Sequence, residues 1–296
     1  MVTLRRFLSG QYDWTGIAPR LLRSKAWYLG SLIGAAVLTL LLIVGYHLWY
    51  VGMAASDFAT PLGVEHMFPR MTYYTLTVIL LPVLLLLSRV ARIWRLTMTG
   101  QDRRRIPISA YVLEAWVYLY QSVTESLMHK CPEHRRWLGH LMLALGTLTM
   151  LTVKVFGLRW FQTDNIYAFY HPQRLVGYAA SALILYGIGD ILVGRLLARR
   201  EIYKETRFQD LVFPLLLLFT VLSGLASHVC RYGGFALTSH FAYAVHIIIA
   251  TPMLVVEMAF GKWAHMIYRP VALYFHAVKQ RAEQKAPVEE GVGYAV

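Results

Sequence analysis

Cysteine and charge are both scarce in this sequence, and each shortage restricts what the chain can be. Only two cysteines occur among 296 residues, Cys131 and Cys230. They fall in predicted loops on opposite sides of a membrane, so the chain offers neither a disulfide nor a cysteine-ligated iron–sulfur cluster. Charged residues make up 15% of the chain and hydrophobic residues 57%, which is more apolar material than a soluble domain could cover. The composition therefore indicates a polytopic membrane protein.

Six apolar runs of about 20 residues or more have the length that crosses the hydrocarbon core of a bilayer. They lie at residues 27–51, 71–94, 137–156, 175–197, 211–230 and 240–267. We therefore expect an all-α fold in which six transmembrane helices form a bundle.

Acidic residues are few as well, 16 against 29 basic ones, which gives a net charge of +13. The basic residues cluster in the loops that share one side with both termini, and the positive-inside rule makes that side cytoplasmic. Attraction to the anionic inner leaflet explains the charge. We therefore expect membrane lipid as a partner and no nucleic acid.

These patterns divide the chain into five segments. They are a cytoplasmic N-terminal segment (1–26), two accessory transmembrane helices (27–95), a cytoplasmic amphipathic segment (96–136), a four-helix core (137–282) and a C-terminal tail (283–296). Within the amphipathic segment, apolar residues recur at helical spacing between 106 and 128, which predicts a helix along the inner membrane face.

Histidines inside the spans are the residues best suited to chemistry, because an imidazole in lipid is costly and is usually retained for a function. At a rise of about 1.5 Å per residue, His140 and His265 lie near the inner boundary. His246 lies at the same outer depth as Met150, and His228 is close to that level. Two levels of facing ligands would suit two six-coordinate b haems.

The spacing of His246 and His265 presents a difficulty for one straight helix. Nineteen residues turn such a helix about 100° out of register, so the two imidazoles share a face only if the helix bends or bulges. Pro252 offers a site for that bulge. His265 is also explained as an interfacial residue beside Lys262 and Arg269.

Three strings of residues resemble a known family. They are Arg136-Trp137-Leu138-Gly139-His140, Tyr170-His171-Pro172-Gln173 followed by Arg174 and Gly177-Tyr178, and Gly261-Lys262-Trp263-Ala264-His265-Met266-Ile267-Tyr268-Arg269. On these residues, the region 134–282 resembles the membrane subunits of the nitrate-reductase gamma superfamily. It is most similar to the cytochrome b subunits of quinone-interacting membrane-bound oxidoreductase, heterodisulfide reductase and dissimilatory-sulfite-reductase-associated complexes. The resemblance leaves the first two spans unexplained.

The resemblance implies a set of haem ligands. His140 and His265 would hold the inner haem b, and His246 would hold the outer one. The family has a histidine ten residues after the first ligand, where this chain has Met150. Three alternatives therefore stay open at the outer level: Met150 as the second ligand, His228 in its place, or no outer haem.

The resemblance also implies menaquinone or ubiquinone as substrate, near the outer haem, where His171 and Arg174 open the fourth span. His171 is also explained as an ordinary cap before Pro172. Because the chain has no cysteine-rich domain, electrons would pass to a separate cytoplasmic iron–sulfur or flavoprotein subunit. The expected location is the cytoplasmic membrane of a prokaryote.

The expected function is that of an electron-transfer subunit of a quinone-linked oxidoreductase complex, which does not act on a soluble substrate alone. The alternative is a haem-free transporter or membrane anchor whose intramembrane histidines relay protons or bind substrate. The sequence has no inverted repeat, and Asp190 and Glu257 are the main acidic residues within its spans. Both features favour the cytochrome.

Overall fold

A computed structural model describes residues 12–13, 15–17, 20–21, 24–51, 68–99, 106–124, 134–161, 163, 165–197, 203, 206 and 208–285. Within these residues the chain forms helices and turns and no strand, which confirms the expected all-α class. The main helices are α1 Lys25–Tyr46, α2 Phe68–Thr97, α3 Ile108–Thr124, α4 His134–Val155, α5 Pro172–Leu196, α6 Phe208–Tyr232, α7 Ala236–Pro252 and α8 Lys262–Lys285.

In the described part of the chain, six helical segments are long and apolar enough to cross a bilayer. They are Lys25–Trp49, Leu76–Thr97, His134–Val155, Pro172–Leu196, Asp210–Tyr232 and Ala236–Phe260. Their outward surfaces are rich in exposed Leu, Val and Phe, and a helix pairs most of its backbone polar groups internally, as lipid requires. The chain is therefore a multi-pass membrane protein. Cys230 lies inside α6 rather than in a loop, and Cys131 lies outside the described residues.

Small residues bring α4 and α5 close together. A Cβ on Gly146 of α4 would lie 2.7 Å from the carbonyl oxygen of Ala180, and a Cβ on Gly187 of α5 would lie 2.6 Å from that of Gly139. Such contacts are the usual basis of helix association in membranes, where burial of apolar surface gives no advantage over lipid. The pair α4 and α5 therefore forms a tightly packed wall of the bundle.

The first two spans pack against the rest of the bundle. Helix α1 contacts α7, and α2 contacts both the segment that follows α7 and the helix α8. The hydroxyl of Tyr74 on α2 lies 2.5 Å from that of Thr251 on α7. The sequence left the role of the first two spans unexplained; in the structure they pack on the sixth span.

The sixth span differs from the continuous helix expected at 240–267. Helix α7 ends at Pro252 and is followed by a π-helical turn, Met253–Glu257, and a short helix, Met258–Phe260. Gly261 then breaks the helix with φ −96° and ψ −144°. The expected extent was therefore wrong: the spanning segment ends at Phe260, and His265 belongs to α8.

The residues themselves account for this break. The π-helical turn follows Pro252, the site that the sequence suggested for a bulge. The carboxylate of Glu257 folds over Gly261 so closely that a Cβ at position 261 would collide with it. Only glycine fits at that position without a rearrangement.

A buried cation fixes the break from the side of α2. Arg89 is fully buried and donates hydrogen bonds to the carbonyl of Ala259 and, at 2.8 Å, to the hydroxyl of Tyr268. Its guanidinium lies 4.8 Å from the ring centroid of Phe260 and forms an ion pair with Asp13 at 2.8 Å. A carbonyl left over at the end of a helix is thereby satisfied, and the N-terminal segment is tied to the bundle.

Helix α3 confirms the amphipathic helix expected between 106 and 128, of which residues 125–128 lie outside the described part. One face packs on α8, where Arg281 forms an ion pair with Glu114 at 2.5 Å and the hydroxyl of Tyr274 donates to the carbonyl of Tyr111 at 3.1 Å. The other face exposes apolar side chains, namely Ile108, Val112, Trp116, Leu119 and Tyr120. Its position on the inner membrane face stays a prediction.

Candidate functional site: a polar cavity between the spanning helices

A cavity of about 340 Å³ lies between α4, α5, α6 and α7, with α2 closing one side. It is near the end of the bundle that the positive-inside rule places outside, hereafter the outer end. Its volume is at the lower end of the usual range for small-molecule sites, roughly 300–1,000 Å³. The polar residues in its wall are Tyr74, Thr147, Lys154, Arg174, Tyr178, Ser181, Thr220, Ser227, His228, Arg231, Tyr243, His246 and Thr251.

Four of the residues singled out from the sequence meet in this cavity, each from a different helix. They are Met150 of α4, Arg174 of α5, His228 of α6 and His246 of α7. Helical rise puts three of them near one level but cannot say whether they belong to one site. The structure shows that all four line the same cavity.

His246 has one ring nitrogen occupied and the other available. Its Nδ1 lies 3.0 Å from the carbonyl oxygen of Thr220 and 3.2 Å from the hydroxyl of Ser223. A carbonyl oxygen only accepts, so Nδ1 carries the proton and Nε2 of the neutral ring keeps its lone pair. A histidine that donates through one nitrogen to a backbone carbonyl is the usual arrangement of a metal ligand.

Gly224 makes room for that imidazole. A Cβ at position 224 would lie 3.2 Å from Cε1 of His246 and 3.4 Å from Nδ1. The ring of Tyr243 lies on the same helix, 6.5 Å away between centroids and inclined by 29°. The position of the His246 ring is therefore set by its hydrogen bonds and by the bare backbone of α6.

Met150 contributes a thioether to the same wall. It packs against the core formed by Ile184, Leu217 and Met253, among others. A thioether sulfur is a soft ligand that serves as an axial ligand to haem iron in some cytochromes. His246 and Met150 together thus supply two donors of the types that haem iron takes.

His228, in contrast, has both ring nitrogens engaged. Arg174 lies 3.1 Å from Nδ1 and Tyr178 lies 2.7 Å from Nε2. A guanidinium only donates, so Nδ1 must accept, and Nε2 of the neutral ring then donates to the phenol oxygen of Tyr178. Ligation through either nitrogen would break one of these bonds. The hydroxyl proton of Tyr178 is left free for an acceptor in the cavity.

The charge of the cavity wall has one sign. Three cations line it, Lys154, Arg174 and Arg231, and no carboxylate does so among the residues of its lining. Arg231 donates to the carbonyl of Thr163 at 2.5 Å, and Nε of Arg174 is buried without a hydrogen-bond partner. A bound group that carries negative charge or carbonyl oxygens would suit this wall.

His171 is not part of the cavity wall. It caps the N-terminus of α5, where Nδ1 accepts a hydrogen bond of 3.4 Å from the backbone of Gln173, and Pro172 occupies the first helical turn. Its ring stacks on that of Tyr167 with a centroid separation of 4.0 Å. Of the two residues predicted for quinone, only Arg174 faces the cavity.

Of the two residues proposed for the inner haem, the structure describes the side chain of His140 only. His140 is a half-buried residue of α4, while the side chain of His265 lies outside the described residues. Near His140, a Cβ on Gly139 would lie 3.1 Å from Oδ2 of Asp190, and the other oxygen of Asp190 accepts from Arg135 at 3.0 Å. The pairing of His140 with His265 stays a prediction.

Sequence reasoning assigned no site role to most polar residues of the cavity, among them Lys154, Tyr178 and Tyr74. Its position in the sequence suggests that Lys154 belongs to an outer loop, whereas in the structure it is the last charged residue of α4. Tyr178 enters only as part of a family string, and Tyr74 belongs to a span predicted to be accessory. A charge within one turn of the end of an apolar run was the signal that could have drawn attention to Lys154.

The comparisons with known proteins add no relative. No protein-family model, curated protein or solved structure matches the chain.

Proposed function

We propose that this chain is the membrane cytochrome b subunit of a respiratory redox complex. It would move electrons through b haems between the quinone pool and a cytoplasmic iron–sulfur or flavin partner subunit. One observation carries the proposal: Nδ1 of His246 is bonded to the carbonyl of Thr220, which leaves Nε2 of this cavity-lining ring available to iron. The resemblance of residues 134–282 to the nitrate-reductase gamma superfamily supplies the class.

At the outer level we assign His246 and Met150 as the axial ligands. The two hydrogen bonds of His228 support this choice, because its nitrogens already serve Arg174 and Tyr178. Bound haem would supply the one-electron redox chemistry. The protein would supply the ligands, an apolar surrounding and a fixed orientation of the imidazole.

In the described part of the chain, no three His, Cys, Asp or Glu side chains converge to hold a metal ion by themselves. A haem iron needs only two protein ligands, since the porphyrin provides the others. The donor set of the outer cavity therefore fits a haem better than a free ion. At the inner level we retain His140 and His265 as the proposed pair.

Arg174, Tyr178 and His228 form the proposed contact with quinone. Arg174 holds His228 in the tautomer that donates to Tyr178, so the phenol is free to donate its own proton. A quinone carbonyl is the kind of acceptor that such a donor recognises.

The test is a reduced-minus-oxidised spectrum with a pyridine haemochrome assay on the purified chain. We expect two b haems per chain. His246→Ala and Met150→Leu should each remove or alter the outer one, whereas His228→Ala should keep it and weaken quinone binding. His276→Ala, which changes an exposed histidine of α8, is the matched control.

Each result decides a different part of the proposal. Loss of a haem in His228→Ala with no effect of Met150→Leu would make His228, and not Met150, the second ligand of the outer haem. One haem that survives both His246→Ala and Met150→Leu would remove the outer level. A colourless wild-type protein would refute the cytochrome altogether.

The alternative is a haem-free transporter or anchor. The wall of cations without a carboxylate also suits an anionic solute that enters from the outer end. Uptake or binding of a small organic anion by a colourless protein, abolished in Lys154→Met, would favour this function over the cytochrome.

A further inference from the structure

Lys154 is a charged residue that no other group in the described chain compensates. It is the last charged residue of α4, it is half-buried, and it lines the outer cavity. It makes no hydrogen bond and no ion pair within the described residues. Lysine is rarely found in such surroundings unless it is paired.

The position of Lys154 relates it to the proposed haem ligands. It follows Met150 by four residues, so the two side chains lie on one face of α4 at successive turns, and both line the cavity. His246 lines the same cavity from α7. A cation therefore accompanies the two donors that would hold the iron.

We propose that Lys154 binds a carboxylate of the haem at the outer level. This inference rests on the proposed function. Haem b carries two carboxylates on one edge of its ring, and an ammonium pairs with a carboxylate through a charge-assisted hydrogen bond. Bound haem would thus provide the counter-charge that the cavity wall lacks.

The test compares haem with its dimethyl ester, in which both carboxylates are blocked. The protein is the full chain in detergent, in a His140→Ala background so that only the outer site titrates. The parent should bind haem about tenfold more tightly than the ester, as expected for one hydrogen bond to a charged group. In Lys154→Met that preference should disappear, because haem affinity falls and ester affinity does not.

Two controls separate charge from folding. Lys154→Arg keeps the charge and should keep the preference, and Lys25→Met makes the same substitution at an exposed residue of α1 and should change nothing. Ester affinity equal to that of the parent shows that Lys154→Met is folded. As a second readout, the midpoint potential of the haem should become more negative in Lys154→Met, because the loss of a nearby cation favours the ferric form.

Other outcomes overturn the inference. A preference for haem that persists in Lys154→Met would mean that the ammonium serves a lipid phosphate, a free anion or the membrane surface instead. A parent that binds haem and ester equally would overturn it in the same way. A parent that binds neither would remove the outer haem itself, so failure of the proposed function and failure of this inference are distinguishable.

Discussion

Replacing Asp13 with asparagine is expected to lower the free energy of unfolding by about 3–5 kcal/mol, the cost of leaving one partner of a buried ion pair alone. Neither side chain of the Asp13–Arg89 pair has any exposed surface. Arg89 cannot turn to solvent, because its guanidinium is held by the carbonyl of Ala259, the hydroxyl of Tyr268 and the ring of Phe260. The charge would stay buried and unbalanced.

The measurement is unfolding of the purified chain in mixed micelles of rising SDS content, followed by the fluorescence of its eight tryptophans. Arg89→Met should cost a similar amount, since it leaves the buried carboxylate of Asp13 without the charge of Arg89. The double variant Asp13→Leu with Arg89→Met should recover most of the loss, because apolar groups of similar size can replace a buried ion pair.

A second ion pair provides the matched control. Arg135 and Asp190 are 3.0 Å apart, but the side chain of Arg135 is 66% exposed. Arg135→Met should therefore cost no more than about 1 kcal/mol. Equal losses in Asp13→Asn and Arg135→Met, or strictly additive losses in the double variant, would refute the reasoning.

Three further substitutions have expected outcomes. Gly187→Ala should lower the unfolding midpoint, because its Cβ would lie 2.6 Å from the carbonyl oxygen of Gly139. The Cβ of Gly189→Ala meets open space, so this variant should raise the midpoint in the same assay, with a gain of up to about 1 kcal/mol in the free energy of unfolding. Gly224→Leu should displace the imidazole beside it and lower the haem content in a pyridine haemochrome assay. Burial raises the pKa of Tyr268 to about 12, so the folded state favours the neutral phenol. Its contribution to stability is complete below about pH 10, where the unfolded phenol titrates. It is lost as the pH rises towards 12, and Tyr268→Phe should abolish that loss in unfolding midpoints measured across this range.

Each of these expectations has a contrary result. Equal midpoints for the two alanine variants would mean that α4 and α5 are not held by close backbone contact. Unchanged haem in Gly224→Leu would show that the cavity wall adapts to the larger side chain. An undiminished fall of stability between pH 10 and 12 in Tyr268→Phe would assign that fall to other groups.

The spanning segments could be predicted closely because one physical signal determines them. A run of apolar residues of membrane length must be helical, since lipid offers no partner to backbone polar groups. The break at Gly261 was not predicted, because residues 253–267 are apolar enough, despite Glu257 and Lys262, to continue the sixth span. It depends on Arg89, which is far away in sequence, and on the fold of the Glu257 carboxylate over the backbone.

The sequence could predict the depth of the site residues in the membrane but not the direction in which their side chains point. Helical rise is nearly constant, so residue counts alone place Met150 and His246 at one level. The rotation of each helix and the partners of each ring are decided by tertiary packing. For this reason the sequence could not show that Arg174 and Tyr178 occupy both nitrogens of His228.

The break also removes the difficulty that one straight helix raised for His246 and His265. The two histidines belong to separate helices, α7 and α8, so the rotation of about 100° over 19 residues no longer relates their faces. One contact that orients α8 is that of its Tyr268 with Arg89, and through Arg89 with Asp13. If the inner haem is held by His265, it follows that Asp13→Asn should weaken haem binding at the inner level and leave the outer level unchanged. Equal loss at both levels would mean that the substitution loosens the whole bundle and that the network has no particular connection with the inner site.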